Sequence, residues 1–189
     1  MRRHRPRALL VLALALLCGS AAADAQLTNP PPAKPLSAYG SYELRPVVLD
    51  AADAKKGKDK PAARIQEHFD RLVAPLVDGW NKKQATDGAP RLVIEPRIVS
   101  VKFVGGGTRL MVGALAGSSY VDMRVRFVEQ PGDVVIAEPT FHQRAAAVSG
   151  AWTFGAQDND MLKRIAQIVA DYVRMNYDRA VGGPTGRAR

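Results

Sequence analysis

The chain has 189 residues, with 27 Lys and Arg against 18 Asp and Glu, a formal charge of +9, 47% hydrophobic and 24% charged residues, and one cysteine. These proportions lie near globular averages and exclude a wholly disordered, collagen-like or multi-span membrane chain. A domain of this size hides roughly two-thirds of the surface its unfolded chain exposes, so neither disulfide nor metal is required to close a core.

Residues 1–25 have the three parts of a secretory signal: the basic start Met1-Arg-Arg-His-Arg-Pro-Arg7, an apolar run from Ala8 to Leu17, and small residues ahead of a cut. That run is too short to cross a hydrocarbon core, which takes about 20 residues in a helix. Ala23-Asp24-Ala25 favours cleavage before Gln26, with Ala21-Ala22-Ala23 as a second option. Cys18, in Leu-Leu-Cys-Gly, supports a rival reading as a lipidated cysteine, although Leu17 stands where such sites carry a small residue. The expected location is therefore periplasmic or secreted, with a lipid-anchored envelope protein as the alternative and membrane contact only through Cys18. Cleavage at Ala25 removes the cysteine, and with it any disulfide, thiolate zinc ligand or cysteine nucleophile; His68 and His142 are then the imidazoles left.

Loss of the signal takes four arginines and one aspartate with it, leaving 23 basic and 17 acidic residues. Between Ala62 and Val181 the balance is 15 to 13, because the excess lies in Lys55, Lys56, Lys58, Lys60, Arg187 and Arg189. A nucleic-acid binder concentrates its cations on the folded surface, so this distribution argues against such a partner.

In chain order, residues 26–40 form a leader whose Asn29-Pro-Pro-Pro-Ala-Lys-Pro35 predicts an extended spacer holding the domain away from a surface. A single α+β domain is expected over 41–181, and a flexible tail over 182–189. Tyr42 to Leu49 reads as a first strand that Pro46 confines to an edge or bulge. Ala51 to Lys60 is a polar loop. From Pro61, Ile65, Phe69, Leu72, Leu76 and Trp80 make one apolar stripe on a helix that Pro75 should kink, with Lys82 and Lys83 near its negative end.

Arg91 to Val104 alternates with a change of phase, so a bulge near Pro96 to Ile98 would turn Leu92, Ile94, Val99, Val101 and Phe103 all toward the core. Tyr120 to Gln130 alternates cleanly, with Val121, Met123, Val125 and Phe127 inward and Asp122, Arg124 and Arg126 outward. Gln130-Pro-Gly-Asp133 suits a type II turn, and Val134 to Arg144 should return as one antiparallel strand. Leu162, Ile165, Val169, Tyr172 and Val173 make the inner face of a terminal helix. The order β-α-β-β-β-α predicts a two-layer α+β sandwich: a mainly antiparallel sheet of about four strands with two helices on one face.

Gly105-Gly-Gly-Thr-Arg109, then Gly113 and Gly117, lead into the alternating strand, the Gly132 turn, the second strand, Gly150-Ala-Trp-Thr-Phe-Gly155 and the terminal helix. From Leu92 to Tyr177 this arrangement resembles a family of exported bacterial proteins and lipoproteins known only as a domain of unknown function. The resemblance implies an envelope location and carries no active site with it.

No constellation reaches a catalytic signature. The glycines before Arg109 lack the lysine and hydroxyl of a phosphate cradle, and they suit a tight backbone path better. Glu138 and His142 share a strand face, but two ligands fall short of a zinc site. Asp158 and Asp160 are placed to cap the terminal helix. Ser118 and Ser119 lack a nucleophile elbow. The sequence thus predicts no enzyme, no cofactor and no metal. The leading reading is an envelope interaction or assembly module, binding another protein or itself through a sheet edge or the loop of Arg109, Gly113 and Gly117. The alternative is a carrier that holds a lipid or other apolar ligand between helices and sheet, near Trp152 and Phe154 and lined also by Phe69 and Trp80.

Overall fold

A computed structural model describes residues 27–50, 59–83, 88–103, 118–145 and 156–187. Its elements are β1 (Thr28–Asn29), a 3-10 turn (Leu36–Ala38), β2 (Ser41–Leu44), β3 (Val48–Leu49), α1 (Asp59–Leu72), α2 (Ala74–Lys83), β4 (Arg91–Lys102), β5 (Tyr120–Gln130), β6 (Val134–Ala137), β7 (Thr140–Arg144), α3 (Ala156–Met175) and β8 (Gly183–Pro184). The fold is α+β, with the helices packed on one face of a six-stranded sheet.

The apolar stripe after Pro61 is helical, and it buries Ile65, Phe69 and Trp80. Instead of one kinked helix there are two. Pro75 has no amide hydrogen for the ladder, so α1 ends before Val73 and a new helix begins at Ala74. Val73 itself is buried, its amide bonding the Phe69 carbonyl at 2.8 Å. Lys82 and Lys83 occupy the last turn of α2, where cations oppose the negative dipole end. On α3, Leu162, Ile165, Val169, Tyr172 and Val173 are all buried, as their spacing requires. Asp158 and Asp160 lie inside that helix rather than ahead of it; Asp158 belongs to its first turn.

The first-strand segment divides into β2 and β3, which both run parallel to β4, so the sheet is mixed. β4 pairs antiparallel with β5 along its length, and β5 pairs with β6 and then β7. The β4 bulge falls at Val99, between Ile98 and Ser100, later than the pattern suggested. Leu92, Ile94, Ile98 and Val101 therefore face the helices, whereas Val99, expected in the core, is 37% exposed. The Gln130–Asp133 turn is not type II: its Gln130–Pro131 peptide is cis, and Gly132 and Asp133 have φ of 114° and 53°. The returning strand is also broken. Pro139 cannot donate to the ladder, and β6 and β7 end and begin on either side of Glu138-Pro139.

The segments read as a detached leader and a free tail are built into the domain. β1 and β8 pair with each other, Leu36 is fully buried, and the Ala33 amide donates to the Ile136 carbonyl at 2.9 Å. Two asparagines hold this arrangement. The Asn29 side chain acts as a strand residue, donating to the Thr140 carbonyl and accepting the Thr140 amide, both at 2.8 Å. Buried Asn176 donates to the carbonyls of Tyr172 (2.8 Å) and Gly182 (2.9 Å) and accepts the amides of Val181 and Gly182 (2.8 Å each). Gly182 has φ +77°, and a Cβ there would collide with the Asn29 carbonyl oxygen, so the two chain ends meet at a backbone approach that needs glycine. The proline-rich composition was compatible with a spacer; the contacts of Asn29 with Thr140 and of Gly182 with Asn29 join distant parts of the chain.

Candidate interaction face

An exposed strand edge offers unpaired amides and carbonyls to another chain. In this protein both sides of the sheet are occupied. On the β2 side, the Asn81 carboxamide accepts the Tyr42 amide (2.8 Å) and donates to the Tyr42 carbonyl (2.9 Å), and Gln66 Oε1 accepts the Val47 amide at 2.7 Å. On the other side, Ala33 bonds β6, and the His142 amide of β7 donates to the Thr185 carbonyl at 2.7 Å. The expectation of an open edge is thus corrected: side chains from α1 and α2, and the two chain ends, cover what the strand pattern alone would leave free.

What remains open among the described residues is the sheet face away from the helices. Alternation places Asp122, Arg124 and Arg126 of β5 on it, beside Arg91, Glu95, Arg97 and Lys102 of β4 and Thr140, His142 and Arg144 of β7. Arg91, Arg97, Lys102, Arg124, Arg126 and Arg144 are exposed, and Val48 and Val135 are 44% and 42% exposed on the same face. Val93 and Val128, cross-strand partners there, are nevertheless buried. They sit between longer charged residues whose aliphatic stems cover apolar surface while the charged heads stay wet.

The carboxylates on this face are held by cations. Glu95 Oε2 lies 2.9 Å from Arg126, Glu43 is 2.9 Å from Arg45 and 3.5 Å from Arg91, and Glu138 is 3.6 Å from Arg124. Asp122 Oδ1 is 2.7 Å from His142 Nδ1 and 3.7 Å from Arg187. The bond to Asp122 sets which imidazole nitrogen carries the proton, and Tyr120 stacks on the ring with centroids 6.3 Å apart. Sequence reasoning grouped His142 with Glu138. The structure instead sets His142 against Asp122 and Glu138 against Arg124.

A second cluster closes the end of β5. Lys34 Nζ lies 2.6 Å from Glu129 Oε2, the Tyr39 hydroxyl donates to the same oxygen at 3.0 Å, and Lys34 stands 4.9 Å above the Tyr39 ring. The Lys34 hydrogen bond, then that of Tyr39, holds the Glu129 carboxyl below its ordinary range. Burial, reinforced by the bond to Glu129, raises the Tyr39 phenol. The cluster pins the N-terminal segment to the sheet, and its groups are consumed by that role.

Arg109, Gly113 and Gly117, the candidate interaction loop, and Trp152 and Phe154, the candidate apolar cleft, lie outside the described residues, as do Cys18 and the signal segment. Of the other two aromatic residues assigned to the cleft, Phe69 is fully buried. Trp80 is sandwiched between Tyr177, at 4.3 Å between ring centroids, and Tyr42, at 5.2 Å. Among the described residues no helix is long and apolar enough to cross a membrane.

No family model matches the chain, and no curated protein matches it. Among solved structures it is similar to the PelC dodecamer from Paraburkholderia phytofirmans, at 10% identity over 82% of this chain and 97% of that one, with a TM-score of 0.40. A Xanthomonas campestris protein of the family-model DUF330 has 10% identity over 78% and 90%, with a TM-score of 0.39. A Caulobacter crescentus protein, described only provisionally as a lipoprotein, has 14% identity over 75% and 91%, with a TM-score of 0.35. At these scores the likenesses assign no function.

Proposed function

We propose that this chain is a non-enzymatic cell-envelope protein that docks another protein through the open face of its sheet. One observation carries this reading: the sheet edges carry hydrogen bonds from the chain's own groups, while the face away from the helices exposes arginines, Val48 and Val135 beside half-buried Tyr120, with no layer of described residues over them. Arginine and tyrosine are enriched at protein interfaces because each couples a large contact area to directed hydrogen bonds. The envelope location rests on the signal-like residues 1–25 and on the family resemblance.

A photo-crosslinking residue placed at Val99 or Thr140, on the open face, should trap a partner in the native envelope, whereas one at Arg64 on the exposed side of α1 should not. Cross-links from the helix side alone would refute the assignment of this face.

A further inference from the structure

We propose that the partner engaged by the open face is an acidic protein surface, read by the cationic row built around Arg97 and Arg124. This rests on the open face being the docking surface. Arg97 of β4 and Arg124 of β5 are direct cross-strand neighbours. Their Cβ atoms are therefore about 5 Å apart, and like charges placed so are destabilising. The described residues compensate them poorly. Among the described residues no carboxylate lies within ion-pair distance of Arg97, and Arg124 has only Glu138 at 3.6 Å, with both side chains more than 40% exposed. Lys102 and Arg144 flank Tyr120 further along the same face, likewise with no carboxylate partner among the described residues.

The acidic groups of the face are already engaged, so its unspent charge is positive, and a partner that completes it must bring carboxylates. The shape argues for a protein surface. Arg97 and Arg124 stand side by side on paired strands with both side chains exposed, which leaves a small anion largely in water. Val48, opposite Arg97 and 44% exposed, adds apolar contact area beside the charges, and Val99 adds more. Opposite charge in the partner would convert an internal repulsion into attraction and accelerate encounter, since rim and surface charges act mainly on association.

The test uses a fluorescein-labelled peptide of alternating Glu and Val, followed by anisotropy against the full mature chain at low and physiological salt. Arg97→Gln with Arg124→Gln should weaken binding about tenfold or more, equivalent to about 1.4 kcal/mol. Arg64→Gln with Arg71→Gln, which removes the same charge from α1, should change it less than about twofold. The melting temperature of the Arg97/Arg124 variant should equal or exceed that of the parent, because a repulsive pair has gone; a lowered melt with lost binding would mean that the arginines serve folding, and would overturn the proposal. Equal losses in both variants would reduce the effect to net charge. Arg97-dependent sedimentation with phosphatidylglycerol vesicles, without peptide binding, would replace the protein partner by a membrane. Cross-links from Val99 that persist undiminished in the Arg97/Arg124 variant would retain the docking face and reject the acidic partner, whereas absence of cross-links from the face would reject the face itself.

Discussion

Asn176 is where the joined chain ends depend most on one side chain. Asn176→Ala deletes four hydrogen bonds from a fully buried site. The Tyr172 carbonyl keeps a partner, because the Asn176 amide still bonds it at 3.1 Å. The Val181 and Gly182 amides and the Gly182 carbonyl lose theirs. A buried polar group left unpaired costs about 1–3 kcal/mol, but this turn can swing toward water, so the expected loss is about 3 kcal/mol rather than the full sum. For a domain of this size that lowers the melting temperature by about 6–12 °C. Asn176→Asp keeps the oxygen that accepts both amides but sets a buried carboxylate oxygen against the Tyr172 and Gly182 carbonyls, and should cost at least as much as the alanine. Urea unfolding followed by circular dichroism measures the loss, and limited trypsin digestion at Arg179 should become faster in the alanine variant as the tail leaves β7. A stability change below about 1 kcal/mol, with cleavage at Arg179 unaltered, would refute the view that Asn176 holds the C-terminal segment.

Met123→Asp should unfold the domain, since it buries an unpaired charge at a position 1% exposed, whereas Arg124→Asp on the opposite face should stay within about 1 kcal/mol of the parent; equal thermal shifts would reject the β5 register. Gly182→Ala should cost at least about 1 kcal/mol in denaturant unfolding, because the added Cβ meets the Asn29 carbonyl at a positive φ. Burial, assisted by the Arg71 guanidinium, holds the His68 imidazole below its ordinary range, with Asn159 and Glu67 pulling weakly the other way. The unfolded chain therefore takes up that proton more readily, so the His68 contribution is complete above about pH 6.5 and is lost as pH falls through the folded value. Melts at about pH 7.5 and 5 should differ less in His68→Gln than in the parent, and an unchanged difference would show that acid sensitivity arises elsewhere.

The elements with strong periodicity were legible from their residues. The α3 face from Leu162 to Val173 and the inward set Val121, Met123, Val125 and Phe127 follow from apolar side chains needing one dry face, a constraint local to each element. Register was not local. A hairpin without irregularity through the Gly132 turn would set His142 opposite Val121, on the core side. The irregularity between Phe127 and Val128 shifts the pairing by one, and His142 meets Asp122 instead. One such slip moves every later side chain to the other face, and Val99 owes its exposure to the same effect in β4. The open face was therefore legible as outward-pointing charge on β5, but its Asp122–His142 pair and its opposed arginines required both bulges to be placed.

By itself the sequence determined the helical stripe from Ile65 to Trp80 and its disturbance at Pro75, the inner face of α3 and the apolar side of β5, because torsion, missing amides and hydrophobic period act over a few residues. The tertiary structure alone decided that the proline-rich leader and the C-terminal tail seal one side of the sheet, and that Asn81 and Gln66 seal the other. Those contacts join residues more than a hundred positions apart, as Asn29 and Thr140 do, or turn on the orientation of a single carboxamide. A composition rich in proline is equally compatible with a free spacer and with an extended strap. The difference lies in whether the opposite end of the chain presents glycines and an asparagine at the right distance, a condition set by three-dimensional proximity and not by neighbouring residues.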